Sequence, residues 1–510
     1  MANDEFGDFQ TPVPLARIVL ETLGDGGWTR ILEPTCGQGN FLEAASERFP
    51  DADRVGVEIQ AEYAAVAHKY GRVTVGDAMR TDFGKAIDWH QQGPLLVVGN
   101  PPWVTNAELT RLGSDNKPDL MNLRKLSGLD ALTGASNFDI AEAMILKFAA
   151  DLASDEPTIA MLCKTQVARN AISYFEQFHL PLAEARIYEI NAKKWFGALV
   201  DACLFVVKIK ADSFNYIADV YKTLEDVQPS HQIGAIDGRL VSDVVAYEQT
   251  KAADGESPIT WRQGVKHDAT QVMELVEADG PRTKSGEPVK VEDTHLFPLF
   301  KSTDVFRGRT SSVTKWMIVP QRRTSDNTNE LRVTAPLLWE YLNANSEALD
   351  SRKSSIYRKR ARFCIFGVGD YTFAPYKVAV SGMHKLPTFR LIGPINGQPV
   401  VFDDVCYFTS FDDLGKAALV SAILTSEPAQ KLMNSLIFTD SKRPVTKKLL
   451  QRIDVAALSV LTEESQLLAE ATEEAKAQGF ELSSEDAAHA LTGLRSAWAG
   501  SDTQPETLFG

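Results

Sequence analysis

The feature that most limits what this 510-residue chain can fold into is the tetrapeptide Asn100-Pro101-Pro102-Trp103, set just after the apolar run Leu95-Leu96-Val97-Val98. A short apolar run bounded by turn residues reads as a fully buried strand. Two consecutive prolines cannot continue a sheet, so the chain leaves the strand along a stiff, extended path. That path fixes the Asn100 amide and the Pro101 carbonyl, two acceptors suited to hold both hydrogens of an exocyclic amine. Pro102 stiffens the exit, and Trp103 adds a flat face on which a planar base can stack.

On either side of this motif, from about residue 13 to residue 210, short apolar runs alternate with helical spacing. Arg30-Ile31-Leu32, Arg54-Val55-Gly56-Val57, Ile159-Ala160-Met161-Leu162 and Leu204-Phe205-Val206-Val207 read as strands. Segments 40–49 and 138–152 read as helices between them. Such alternation predicts an α/β fold with a doubly wound, Rossmann-like, mostly parallel sheet, whose ligands bind outside the carboxyl ends of the strands.

Three further motifs fall at those ends. The first strand runs into Glu33-Pro34-Thr35-Cys36-Gly37-Gln38-Gly39-Asn40-Phe41, where the glycines allow a tight turn and close approach of backbone to a ligand. The second ends at Glu58-Ile59, a carboxylate placed to bind the two hydroxyls of a ribose. The third is followed by Asp77-Ala78, whose acid suits an adenine amino group. Each alone has a plainer reading: a strand-to-helix turn, a helix cap or a surface acid. Their order along one chain sets that reading aside.

In that order the chain resembles the gamma group of DNA amino-methyltransferases of bacterial restriction–modification systems. The resemblance implies S-adenosylmethionine as cofactor, held by Thr11, Pro12, Glu33, Pro34, Cys36, Gly37, Gly39, Phe41, Glu58, Ile59, Asp77 and Ala78. It implies Asn100, Pro101, Pro102 and Trp103 as the catalytic tetrapeptide, and Phe196, in Trp195-Phe196-Gly197, as the aromatic on the other side of a flipped base. The expected reaction is methylation of the exocyclic amino group of adenine in DNA. The choice of adenine over cytosine rests on the family, because both amines make the same demand on Asn100. Where the family often has Pro-x-x-Trp or Pro-x-x-Phe after the fifth strand, this chain has Cys163-Lys164-Thr165-Gln166, so no role is carried onto that loop. Asn-Pro-Pro-aromatic also occurs in enzymes that methylate RNA amino groups or protein glutamine, usually shorter chains without a large basic domain behind the catalytic one.

After Pro258 the pattern changes to short β-like pieces, aromatics and basic residues, which predicts an α+β domain. The expected organisation is a methyltransferase domain over residues 1–212, a connecting segment over 213–256, a target-recognition domain over 257–455 and a helical acidic tail over 456–510. The formal net charge of −15 argues at first against a polyanionic partner, but it is unevenly spread. Residues 301–362 hold thirteen Lys and Arg against six Asp and Glu, whereas residues from 461 onward hold two against ten. A local basic surface is what phosphate binding requires. Arg262, Lys266, Arg322, Arg323, Arg358, Lys359, Arg360, Lys377, Lys442 and Arg443 are the candidates to face double-stranded DNA.

The five cysteines narrow the chemistry by exclusion. A cytosine carbon-5 methyltransferase needs a nucleophilic cysteine, usually after proline, and none of the five follows one. They form no Cys-x-x-Cys pair and lie far apart, so free thiols and no structural metal are expected. The first ten residues are acidic, and no apolar run approaches the ~20 residues that span a bilayer, so a cytoplasmic protein without a membrane partner is expected. The family context adds other components of a restriction or phage-defence system as possible partners.

Overall fold

The computed structural model describes residues 10–104, 139–358, 360–438 and 443–499. The chain divides into two compact units, Met1–Val245 and Ala246–Gly510.

The first unit is built on one ten-stranded sheet in the order β10-β9-β8-β6-β7-β5-β4-β1-β2-β3. Its strands are β1 (Arg30–Glu33), β2 (Asp53–Glu58), β3 (Arg72–Val75), β4 (Leu95–Gly99), β5 (Thr158–Lys164), β6 (Glu184–Ile190), β7 (Ala202–Lys208), β8 (Ile217–Tyr221), β9 (His231–Ile236) and β10 (Arg239–Val241). The helices are α1 (Val13–Leu23), α2 (Asn40–Arg48), α3 (Ala61–Ala67), α4 (Phe83–Ala86), α5 (Ile140–Asp151), α6 (Thr165–Gln177) and α7 (Ala192–Phe196). From β3 to β5 every neighbouring pair is parallel, with Leu32 beside both Val55 and Val97. All residues of β1 and β4 are buried, the mark of a sheet covered on both faces. On one face, Ile31, Leu96, Val98, Ala160, Leu162 and Leu204 pack with the apolar residues of α1 and α2. Because alternate residues of a strand face opposite ways, Leu32, Val97, Ile159 and Met161 belong to the other face, and they too are buried.

The other half of the sheet departs from the mostly parallel expectation. β7 runs antiparallel to both β5 and β6, and β9 and β10 fold back as antiparallel ribbons. The stretch 213–256, expected to connect two domains, instead supplies β8, β9 and β10 and extends the sheet. Ala218, Val220, Ile233, Ala235 and Val241 are buried there, which its polar average composition concealed.

The second unit is α+β, as expected. One sheet has the order β11-β19-β16-β17 and the other β13-β12-β15-β14-β18. The first comprises β11 (Arg262–Gln263), β16 (Tyr376–Ser381), β17 (Phe389–Ile392) and β19 (Cys406–Phe411), and the second β12 (Glu274–Glu277), β13 (Pro281–Arg282), β14 (Leu296–Phe300), β15 (Lys315–Ile318) and β18 (Val401–Phe402). The expected tail is part of this unit. Helices Glu464–Ala477 and Ser484–Ala499 pack on the buried helix Leu414–Thr425, burying Leu467, Ala471, Ala475, Ala487 and Leu491. Most of their acids lie on the outer faces, though Glu474 turns inward toward Ser421, where burial pushes its carboxyl up to about 7, so the charge count conceals a packed inner side. No helix among the described residues is long and apolar enough to cross a membrane.

Candidate active site

The cofactor loop is built where β1 meets α2. Gly39, with φ of 84°, takes a left-handed conformation at the start of α2, and a Cβ there would lie 2.8 Å from that of Ala67. Glycine is therefore required twice, for conformation and for space. A Cβ on Gly37 would fall 2.6 Å from the Gln10 side chain, and the Asn40 amide donates to the Thr11 carbonyl at 2.6 Å. These contacts bind the segment before α1, including Thr11 and Pro12, against the loop. The Cys36 thiol is buried where a Cβ on Gly56 would touch it, and burial raises its pKa. Phe41, expected at the cofactor, is buried in the core with Leu15 and Val19, where it seats α2 directly behind the loop.

Two carboxylates frame this loop. Glu58 is buried, and its oxygens accept the Gly37 and Gln60 amide hydrogens at 2.8 and 2.9 Å. Its position at the end of β2 is thus set by the loop it serves. Glu33 is also buried and accepts from the Leu42 amide at 3.1 Å; burial, reinforced by the nearby Glu58 charge, lifts its pKa well above the usual carboxylate range. At the end of β3, Asp77 accepts from the Met79 amide at 2.8 Å while Ala78 is buried. Ile59 and Val75, the apolar residues beside these acids, stay 44% and 55% exposed. A buried acid at the end of β2, a second acid one strand over and apolar surface beside them fit the nucleoside part of S-adenosylmethionine.

The second half of the site lies at the ends of β4 and β5. Gly99 is next to the loop: a Cβ there would be 3.7 Å from Pro34 and 3.8 Å from Glu33. Beyond it Asn100 is half-buried and Pro101 buried. Trp103 is buried, and its indole nitrogen donates to the Leu162 carbonyl of β5 at 3.2 Å. Its ring meets that of Phe196 edge to face, with centroids 5.2 Å apart at 71°. The structure thus brings the residue after the two prolines and the aromatic of α7 together as adjoining walls.

A set of residues that sequence reasoning missed holds those walls. The Lys164 ammonium reaches Asp139 at 2.9 Å, and Asp139 caps α5 by accepting from the Ala141 amide. Next to it the Ile140 amide donates to the Val104 carbonyl at 3.0 Å, and the Thr165 amide to the Asp201 carbonyl at 3.0 Å. Glu142, held by the Asn170 amide at 2.6 Å, has its carboxyl pushed up to about 7 by burial. An Asp before an apolar helix is a readable cap signal, but nothing local marks Lys164 as its partner.

No protein-family model matches the chain. It is 38% identical over 468 residues to the type II methyltransferase M.NspV of a Nostoc species, a match spanning 89% of this chain and 97% of that protein. This chain belongs to the type II methyltransferases. S-adenosylmethionine is accordingly its methyl donor, and the cradle around Glu58 has the donor set to hold it. A shorter match joins this type II methyltransferase to M.CvrRI of a Paramecium bursaria Chlorella virus, at 37% over 101 residues, or 19% of this chain and 25% of that one. Among solved structures, the type IIL restriction–modification enzyme MmeI in complex with DNA aligns with 99% of this chain and 74% of its own, at 13% identity and a TM-score of 0.48.

The basic residues of the second unit sort into distinct environments. Arg358, Arg360 and Arg443 are exposed. Arg262 and Arg322, also exposed, lie over the rings of Tyr371 and Phe373 at 4.7 and 4.5 Å. Lys266 is 3.9 Å from Asp268, and Arg323 pairs with Asp370 at 2.7 Å on the surface. Lys377 corrects an expectation. It is buried on β16, donates to the Ala374 carbonyl at 2.5 Å, and has its pKa lowered to about 7 by that burial, so its amine is out of reach of a phosphate. Lys359 and Lys442 lie outside the described residues.

Proposed function

We propose that this type II methyltransferase transfers a methyl group to the exocyclic amino nitrogen of an adenine turned out of double-stranded DNA, in the manner of the gamma group. The observation that carries the reading is the pairing of Trp103 with Phe196 beside Asn100 and Pro101, at the strand ends next to the cofactor loop.

A base inside a duplex is out of reach of such a site, and turning it out costs a few kcal/mol. Aromatic walls offset part of that cost, at roughly 1–3 kcal/mol per stacked base. When bound, S-adenosylmethionine supplies an electrophilic methyl on a sulfonium. The Asn100 side-chain oxygen and the Pro101 carbonyl accept the two hydrogens of the amine, whose lone pair is otherwise delocalised into the ring. Held this way, the nitrogen is drawn toward tetrahedral geometry and its lone pair becomes available for an in-line attack. The protein's part is orientation and charge stabilisation, with no covalent intermediate. Arg262, Lys266, Arg322, Arg323, Arg358, Arg360 and Arg443, with Lys359 and Lys442, supply contacts to the phosphates, and one or two of the arginines read guanine edges.

The test is modification-sensitive sequencing of DNA from cells that express the chain. The expected result is methylated adenine in one fixed sequence context. Methylated cytosine would correct the base, and unmodified DNA beside methylated RNA or protein glutamine would overturn the reading.

A further inference from the structure

The second unit carries an exposed apolar feature that the reading above leaves without a role. Between β16 and β17, residues 382–388 form the turn of an antiparallel hairpin in which Val380 faces Phe389. Met383 and Leu386 project from it, 54% and 56% exposed, with the exposed Lys385 between them.

Several contacts hold this turn in shape. The Ser381 hydroxyl lies 2.7 Å from the His384 Nδ1 and accepts from the Met383 amide at 3.3 Å. The His384 ring stacks on Phe306, with centroids 3.8 Å apart and planes 9° from parallel. Gly382 donates to the Val405 carbonyl at 2.9 Å, and a Cβ there would lie 2.8 Å from that oxygen. Two large apolar side chains are therefore displayed close together on a braced support.

The surrounding charge indicates their partner. Arg307, exposed at the end of the helix Ser302–Arg307, is near enough for its charge to act on His384. On the other side, Gly382 abuts the Val445 carbonyl, two residues after the exposed Arg443. The acids next in sequence to Val405, Asp403 and Asp404, are half-buried. Apolar prongs flanked by cations match a polyanion with apolar faces between its charges, which is a base-paired duplex. Proteins that kink DNA drive such Met and Leu side chains between base steps, and the bend lets more of the surface engage.

We propose that residues 382–388 are a wedge that enters duplex DNA, with Met383 and Leu386 between base pairs and Lys385, Arg307 and Arg443 on the flanking phosphates. The inference rests on the reading that duplex DNA is the substrate. It is tested on the full chain with a duplex of about 30 base pairs carrying the methylated site, dye-labelled at both ends so that energy transfer reports the bend.

Met383→Ser/Leu386→Ser is expected to lower affinity by roughly 10- to 100-fold, leave the salt slope unchanged, and lessen the bend. Met383→Leu/Leu386→Met, which keeps the apolar volume, is expected to restore both, and matched melting temperatures check that each variant is folded. Unaltered affinity and bend in the serine variant overturn the wedge. So does light scattering that shows a wild-type dimer and a monomeric serine variant, since a second copy then covers the patch. Failure of the DNA reading has a different signature: wild type and Asn100→Ala alike would show no preference for the duplex.

Discussion

In the first unit several polar groups of the site are buried and held by named partners: Glu58 by the Gly37 and Gln60 amides, the Trp103 indole by the Leu162 carbonyl, Asp139 by Lys164. In the second unit the cations near the expected interface are mostly exposed, and several are already engaged. Arg352 donates to the Leu349 and Cys364 carbonyls, Arg362 pairs with Asp350, and Lys377 is buried. The difference matches two tasks. Chemistry on one nitrogen needs donors and acceptors fixed to a fraction of an ångström, whereas phosphate contact needs charge at roughly the right place and tolerates side-chain freedom. Single substitutions should therefore have steep effects in the first unit and shallow, additive ones in the second.

The steepest test is Asn100→Ala, expected to lower kcat by about three orders of magnitude or more, since the acceptor proposed for the reacting amine is removed. Calorimetry should find cofactor affinity within a few-fold of wild type. Equal loss of both would mean that the residue shapes the fold rather than the reaction. Glu58→Gln should weaken S-adenosylmethionine by roughly 10- to 100-fold, the range of a charge-assisted hydrogen bond, with little change in kcat at saturating cofactor. A change confined to kcat would remove the ribose assignment.

Lys164→Met should lower kcat by about 10-fold while leaving cofactor affinity alone, because the Asp139 that it holds caps α5 beside Val104. Lys164→Arg, which keeps the charge, should recover most of the activity, and recovery by neither would make the pair merely structural. In the second unit, Arg358→Ala/Arg360→Ala should reduce the slope of log affinity against log salt by about 2, with methylation at saturating DNA unchanged. An unaltered slope would move the phosphate footprint away from this segment.

The smallest effect on function is expected at Lys377. Its folded pKa of about 7 lies below its unfolded value, so between pH 7 and the ordinary lysine range the unfolded chain binds the extra proton. This group therefore makes stability rise with pH across that window, by up to about 1.4 kcal/mol per pH unit. Lys377→Met should abolish that rise in denaturant melts and leave DNA affinity intact. Weakened DNA binding would restore it to the interface.

The contrast also sets how much was legible in the sequence. The strand ends, the glycine turn, Glu58, Asp77 and the Asn-Pro-Pro-Trp exit are each marked by a local sequence pattern, and they fall at the ends of β1 to β4. Residues 213–256 misled because their buried apolar residues are interleaved with exposed polar ones, so the average reads as polar. The acidic C-terminal helices misled because composition averages an inner apolar stripe with an outer charged face. Lys377 read as surface because Lys is rarely buried, and only the sheet pairing shows which way it faces. The link from Lys164 to Asp139 crosses from one strand end to the start of a helix, a relation that no local pattern encodes.

The hydrogen bond from the Ile140 amide to the Val104 carbonyl has a consequence of another kind. It closes the chain on itself at the two ends of residues 105–138, just beyond Trp103. The end of the Asn-Pro-Pro-Trp exit is thus tied directly to the start of α5, so the spacing of the aromatic walls does not depend on how many residues join the two. Doubling a closed loop adds only about 0.6 kcal/mol of closure entropy. That bond is thus a natural splice point, where a joining segment of different length leaves the chemistry undisturbed.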